Sequence, residues 1–107
     1  MLRIYGEFLG VLRGMRPLIE KIERRDGDLA RQLRRAAASV ALNMSDGSGS
    51  EGGTRRQRYL SALGSARETL SCLEVADAFG YAELGPGSAT VAELNRVIGG
   101  LVRLVGR

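Results

Sequence analysis

AAASVALNMSDG (36–47), SGSEGGT (48–54) and RRQRYLSALGSARE (55–68) run consecutively through the middle of the chain. The first segment places apolar residues at Ala36 or Ala37, Val40 and Met44, one face of a helix with steps of three and four. It closes on the small polar cluster Asn43, Ser45 and Asp46, and Gly47 is placed to take the left-handed conformation that ends many helices. Residues 48–53 hold no apolar side chain and three glycines, so they read as a connection. Thr54 is a candidate cap for the next helix, whose stripe runs Tyr59 or Leu60, Leu63, Ala66, Leu70, Leu73, Ala76 or Asp77, and Phe79 to a stop at Gly80. The segment is a helix, a loop and a second helix.

The same periodicity extends outward. Tyr5, Phe8, Leu12, Met15, Ile19 and Ile22 form one helical face, and Ile4, Val11 and Leu18 form a second stripe beside it. Gly6, Gly10 and Gly14 recur on this first helix, each weakening it by about 1 kcal/mol relative to Ala, so close approach of another backbone is expected there. Pro17 predicts one kinked helix. Asp26-Gly27-Asp28 is a turn with Asp28 as the candidate N-cap, followed by Leu29 and Leu33. GPG at 85–87 is a further turn. Ser88 or Thr90 with Glu93 suits a capping box ahead of Val91, Leu94, Ile98, Leu101 and Val105, flanked by Val97 and Leu104. Period-two alternation is absent throughout. The fold class is all-α: one domain over residues 1–107, an antiparallel up-down-up-down four-helix bundle. The heptad-spaced second stripes are more apolar surface than a lone bundle would bury, which predicts a homo-oligomer.

Composition excludes more chemistry than it suggests. The 107 residues include no histidine and no tryptophan. Without His, the usual general base, the nucleophile–base–acid triads and the common zinc sites have no members here. The Gly/Ser loop lacks the Gly-Lys-Ser/Thr of a phosphate loop. The expectation is a protein that is not an enzyme, with no metal and no cofactor. Cys72 stands alone within an apolar pattern and reads as a small core residue. Glu7 and Arg13 interrupt the opening apolar run, so no signal peptide is read there, and no stretch is long and apolar enough for a membrane span. A soluble cytoplasmic protein is expected. Net charge is +4, and Lys21 is the one basic residue that is not Arg. That bias reflects either base composition or a need for planar donors that match phosphate and carboxylate.

Asn43-Met44-Ser45-Asp46-Gly47 and Gly64-Ser65-Ala66-Arg67-Glu68 together resemble a known family. It is the bacterial four-helix-bundle family named for proteins of 23S ribosomal RNA intervening sequences. Its members close the second helix on an N-[IL]-[AS]-E-G element and carry G-S-x-x-E in the third. Asp46 stands where Glu is usual, GSARE matches as it stands, and FGYAEL (79–84) is similar to the usual end of the third helix. Ser50 occupies a place that is commonly basic; Arg55 and Arg56 are the candidate substitutes. The resemblance implies a ring-like homopentamer. It is also similar to the accessory proteins of diversity-generating retroelements, which are basic pentamers working with a reverse transcriptase and nucleic acid.

Two groups of residues are candidates for function. Asn43, Asp46, Gly47, Ser65 and Glu68 are the motif residues. Ser65 and Glu68 share a helix face, while a loop offset of about eleven helical residues sets them roughly 16 Å along the helix from the turn. They read either as a capping and polar network that fixes register or as a ligand site. Arg31, Arg34, Arg35, Arg55, Arg56 and Arg58 form the second group. Three of them crowd the first turn of the third helix, where positive charge opposes the helix dipole but suits an anion at the free N–H groups. With aromatics scarce, RNA or DNA would be held at its phosphates. The alternative is a scaffold whose partner is another protein.

Overall fold

The computed structural model describes residues 2–84 and 88–106, so the expected turn at 85–87 lies outside the described residues. Four helices follow one another: α1 Arg3–Glu23, α2 Gly27–Ser48, α3 Gly52–Ala78 and α4 Ala89–Val105. Among the described residues there is no strand, and no helix is long and apolar enough to cross a membrane. α1 continues through Pro17 as one helix.

Helix ends differ from expectation at three places. Asp26, not Asp28, caps α2: its Oδ1 accepts from the Leu29 N–H at 3.0 Å. Asp28 falls inside the first turn because Asp26 is the last extended residue. α3 begins two residues before Thr54, because Gly52 takes φ +59°, a value that favours glycine, and turns the chain into the helix early. Gly47 does not end α2. The helix runs on to Ser48 and passes to Gly49 at φ −93°.

The remaining ends follow the sequence. Gly80 adopts φ +78°. Its N–H donates to the Asp77 carbonyl at 2.9 Å, and the Tyr81 N–H donates to the Ala76 carbonyl at 2.8 Å. Those two bonds are the Schellman closure. Ser88 caps α4 by accepting from the Val91 N–H at 3.3 Å.

Residue pairings define how the helices lie. Gly47 meets Tyr59, and Ser39 meets Ser65, so positions advancing along α2 retreat along α3. Gly100 meets Ile4 and Gly14 faces Thr90 in the same opposed order on α4 and α1. Arg34 of α2 binds Glu23 of α1. α2 and α3 share the most extensive contact, and α1–α2, α3–α4 and α1–α4 contacts complete the bundle. The reason lies in side-chain size: Ala30, Ala36, Ala37, Ala41, Ala62 and Ala66 are buried in α2 and α3, and small contact residues permit close interaxial distances.

The core is built from Phe8, Met15, Ile22, Leu33, Met44, Leu73, Leu94 and Leu101, all fully buried. The second stripes enter it only in part. Val11 is 2% exposed and Val97 1%, while Ile4, Leu18 and Leu104 pack against the core with part of their surface left exposed. Close approach at Gly6 and Gly10 fails: a Cβ at either would meet nothing within 4 Å. Phe79, assigned by its spacing to the core, is instead exposed and stacked on Tyr81 with ring centroids 5.3 Å apart. It is the first residue past the end of α3, where the Gly80 turn swings the chain outward.

Gly47 matters for space rather than for φ. A Cβ there would sit 2.5 Å from Cε1 and 2.8 Å from Cδ1 of the buried Tyr59 ring, and 3.2 Å from the Arg58 Cβ. Neither a packed ring nor a backbone-anchored Cβ yields easily. Gly47→Ala is expected to lower stability by about 1–3 kcal/mol. Gly6→Ala, facing open space, should raise it by about 0.5–1 kcal/mol. Denaturant unfolding of the two variants checks both signs; a neutral Gly47→Ala would show that α2 and α3 are free to separate there.

Candidate nucleic-acid interface and motif cleft

The motif residues fall at three places on the α2–α3 pair. Asn43 donates from Nδ2 to the Ser39 carbonyl at 2.9 Å and to Ser39 Oγ at 3.1 Å. Ser39 Oγ lies 2.8 Å from Ser65 Oγ. Thr69, fully buried, donates to the Ser65 carbonyl at 2.8 Å. Asn43 and Ser65 share no hydrogen bond; Ser39 joins them from one turn earlier on α2, which offsets the loop displacement. Ser39 was the missing member. Its signal was a lone hydroxyl in the run AAAS, four residues before Asn43 on the same helix face.

Gly47 serves the helix crossing, as described. Asp46 is exposed, and its backbone carbonyl, not its carboxylate, accepts from the Gly49 N–H at 3.3 Å and from Ser50 Oγ at 2.7 Å. Glu68 is exposed as well and belongs to no buried network. It lines an open cleft between α2 and α3 with Gln32, Arg35, Ala36, Ser39 and Ser65.

The six arginines do not converge. Arg31, Arg34 and Arg35 stand in the first half of α2, while Arg55, Arg56 and Arg58 stand at the start of α3, beside the end of α2. Fourteen residues of α2 separate Arg34 from Ser48, about 21 Å at 1.5 Å per residue. Sequence proximity through the hairpin had suggested one cluster, and helix length separates it into two. Arg31 pairs with Asp28. Arg34 grips Glu23 with both Nη atoms, at 3.0 and 3.1 Å. That hydrogen bonding holds the Glu23 carboxyl below its usual range and raises the Arg34 guanidinium. Stability from this pair is present above the ordinary carboxylate range and is lost as pH falls through the lowered Glu23 value.

The α3 set remains available and gains neighbours. Arg55 Nε donates to the Ser50 carbonyl at 2.8 Å, and Arg56 Nε donates to the Val105 carbonyl at 3.3 Å. Each of these contacts uses Nε and leaves the Nη donors without a hydrogen-bond partner among the described residues. Arg55 and Arg56 line an open cleft with Leu2, Gly52, Tyr59 and Leu104. An adjoining cleft shares Leu2 and Leu104 and adds Arg3, Arg96 and Arg103. Among the described residues, Arg3 is the only one of these arginines that makes an ion pair, with Glu7 at 3.6 Å. The helix starts at this end, those of α1 and α3, have no side-chain cap and no acidic residue in the first turn. At the other end the starts of α2 and α4 are capped by Asp26 and Ser88. Arg3, Arg96 and Arg103 were not legible as members because α1 and α4 bring them in from the chain's two extremes. Among the described residues, no three His, Cys, Asp or Glu side chains gather as a metal site would require.

The hydroxyl pair supports a direct test. Ser39→Ala and Ser65→Ala should each lower stability by about 1 kcal/mol, with the double variant falling short of the sum by about 0.5–1.5 kcal/mol. Strict additivity in urea unfolding would mean that the two hydroxyls do not interact.

No curated protein matches this chain. Its fold is similar to the crystal structure of a protein of unknown function from the S23 ribosomal protein family of Bacteroides thetaiotaomicron VPI-5482. The TM-score is 0.87 at 14% identity, covering 97% of this chain and 99% of that one. Residues 15–102, from the middle of α1 almost to the end of α4, match the 23S rRNA-intervening sequence protein family. With the four helices in order and the motif residues on the α2–α3 pair, the chain belongs to the 23S rRNA-intervening sequence protein family.

Proposed function

We propose that this chain is a non-enzymatic, homo-oligomeric bundle of up-down-up-down topology that holds nucleic acid by its phosphates at the end where α1 and α3 begin. It acts in the cytoplasm as an accessory factor, in a ring of five copies as the family resemblance implies. The observation that carries the reading is the set Arg55, Arg56, Arg58, Arg96 and Arg103. They are exposed at or beside one end of the bundle without an acidic partner among the described residues. Guanidinium forks suit phosphate geometry, and two uncapped helix starts add outward N–H groups of the same polarity. The family's name refers to an intervening sequence of 23S rRNA, which makes RNA the first ligand to try. Arg31 and Arg34, already ion-paired, are set aside from the contact surface, and Arg35 belongs to the α2–α3 cleft.

Affinity for a labelled RNA across about 50–200 mM salt tests this reading. Each phosphate contact adds roughly 0.7–0.9 to the slope of log affinity against log salt. Arg55→Ala with Arg56→Ala should weaken binding to all sequences alike and flatten the slope by about that amount for each phosphate no longer neutralised. Arg31→Ala with Arg34→Ala should leave the slope unchanged. If wild-type protein shifts neither RNA nor DNA at low salt, the nucleic-acid reading fails. A scaffold for a protein partner, such as a reverse transcriptase, then takes its place.

A further inference from the structure

Three of the exposed large apolar side chains, Leu42, Val75 and Phe79, are 64%, 41% and 64% exposed. They lie in register with the two charges of the motif cleft. Arg35 and Leu42 are seven residues apart on α2, so they share a helix face. Glu68 and Val75 are seven residues apart on α3 and share another, with Phe79, just past the helix end, continuing the same spacing. The two faces adjoin, because Arg35 and Glu68 line the same cleft between the helices. Ala38, Gly64 and Ser71, also exposed, lie on the same side and keep its relief low. Arg35 and Glu68 nevertheless form no ion pair with each other, and neither makes one with any described residue.

From this pattern we propose that the outer α2–α3 face is the surface by which copies of this chain associate, with Arg35 of one copy paired to Glu68 of the next. The inference rests on the homo-oligomer reading above and names its contact. A second copy fits for reasons of charge. Beside the cleft the face carries the unpaired cation Arg35 and the unpaired anion Glu68, with Asp46 eleven residues beyond Arg35 towards the end of α2, and a copy of this chain supplies the complement of Arg35 and of Glu68. Leu42 and Val75 beside the pair would be covered in the same contact, removing from water the apolar surface that the bundle leaves out. An Arg–carboxylate pair is planar and bidentate, so it fixes orientation as well as attraction. The same pairing can repeat from copy to copy around a closed assembly.

Charge reversal with mixing is the test, read by light scattering, with circular dichroism to confirm that each variant stays helical. Wild type is expected to scatter as a multiple of the 11.5 kDa chain. Arg35→Glu alone and Glu68→Arg alone should each fall to the single-chain mass. Mixed in equal amounts, the two should assemble, since alternating copies offer each other what each lacks at four of the five contacts of a five-membered ring. Wild type at single-chain mass would overturn the homo-oligomer reading and this inference with it. Wild type assembled while both reversals also stay assembled would leave the oligomer standing and overturn this surface. Reversals that disperse but do not assemble on mixing would mean that Arg35 and Glu68 act within one chain, which also overturns it.

Discussion

Everything in this bundle depends on how closely α2 and α3 approach each other. The two helices carry many buried alanines, and the contact admits no side chain at Gly47, where the Tyr59 ring occupies the space a Cβ would need. Close approach then brings the Ser39 and Ser65 hydroxyls within hydrogen-bond distance across a part-buried seam. An unpaired hydroxyl in that position would be unfavourable, so the bond fixes the register of the two helices as well as adding to stability. α1 and α4 complete the core on the other side, where bulkier Phe8, Met15, Leu94 and Leu101 fill the space. The seam is therefore small and polar, and the remainder of the core large and apolar.

That division explains what could be read from the chain alone. Helix existence was legible because Leu29, Leu33, Ala36, Val40 and Met44 follow one another at steps of three and four, and all of them are buried. Helix ends were less so. Asp26 and Asp28 offer the same chemistry two residues apart, and Gly52 moves the start of α3 by a backbone conformation that no side chain announces. The glycines divide by environment. Gly47 and Gly100 meet neighbours, whereas Gly6 and Gly10 face open space, and nothing in their sequence context separates these cases.

The candidate sites follow the same logic. Asn43 and Ser65 were visible as a motif, but their link through Ser39 depends on the offset of two antiparallel partners. A serine four residues back in a run of alanines carries that information only once the partner helix is known. The arginines were grouped by proximity along the sequence, and a 22-residue helix separated them. Their actual neighbours, Arg3 and Arg103, come from the first and last helices. Ion pairing is likewise a property of the fold: Arg34 and Arg56 look alike in sequence, yet one is held by Glu23 and the other reaches a carbonyl at the end of α4.

The pairing of Ile4 with Gly100 also has a kinetic meaning. Gly47 and Tyr59 are 12 residues apart, 59 − 47, whereas Ile4 and Gly100 are 96 apart, 100 − 4. Closing a loop eight times longer takes three doublings, roughly 1.8 kcal/mol more in chain entropy. The α1–α2 and α2–α3 contacts are both local, Glu23–Arg34 spanning 11 residues and Gly47–Tyr59 spanning 12, so the docking of α1 on α4 is expected as a late, entropically unfavourable step. The end of the bundle that carries the basic clefts is closed by that late step. An opening that undoes this contact would therefore part the basic clefts while leaving the Ser39–Ser65 seam closed.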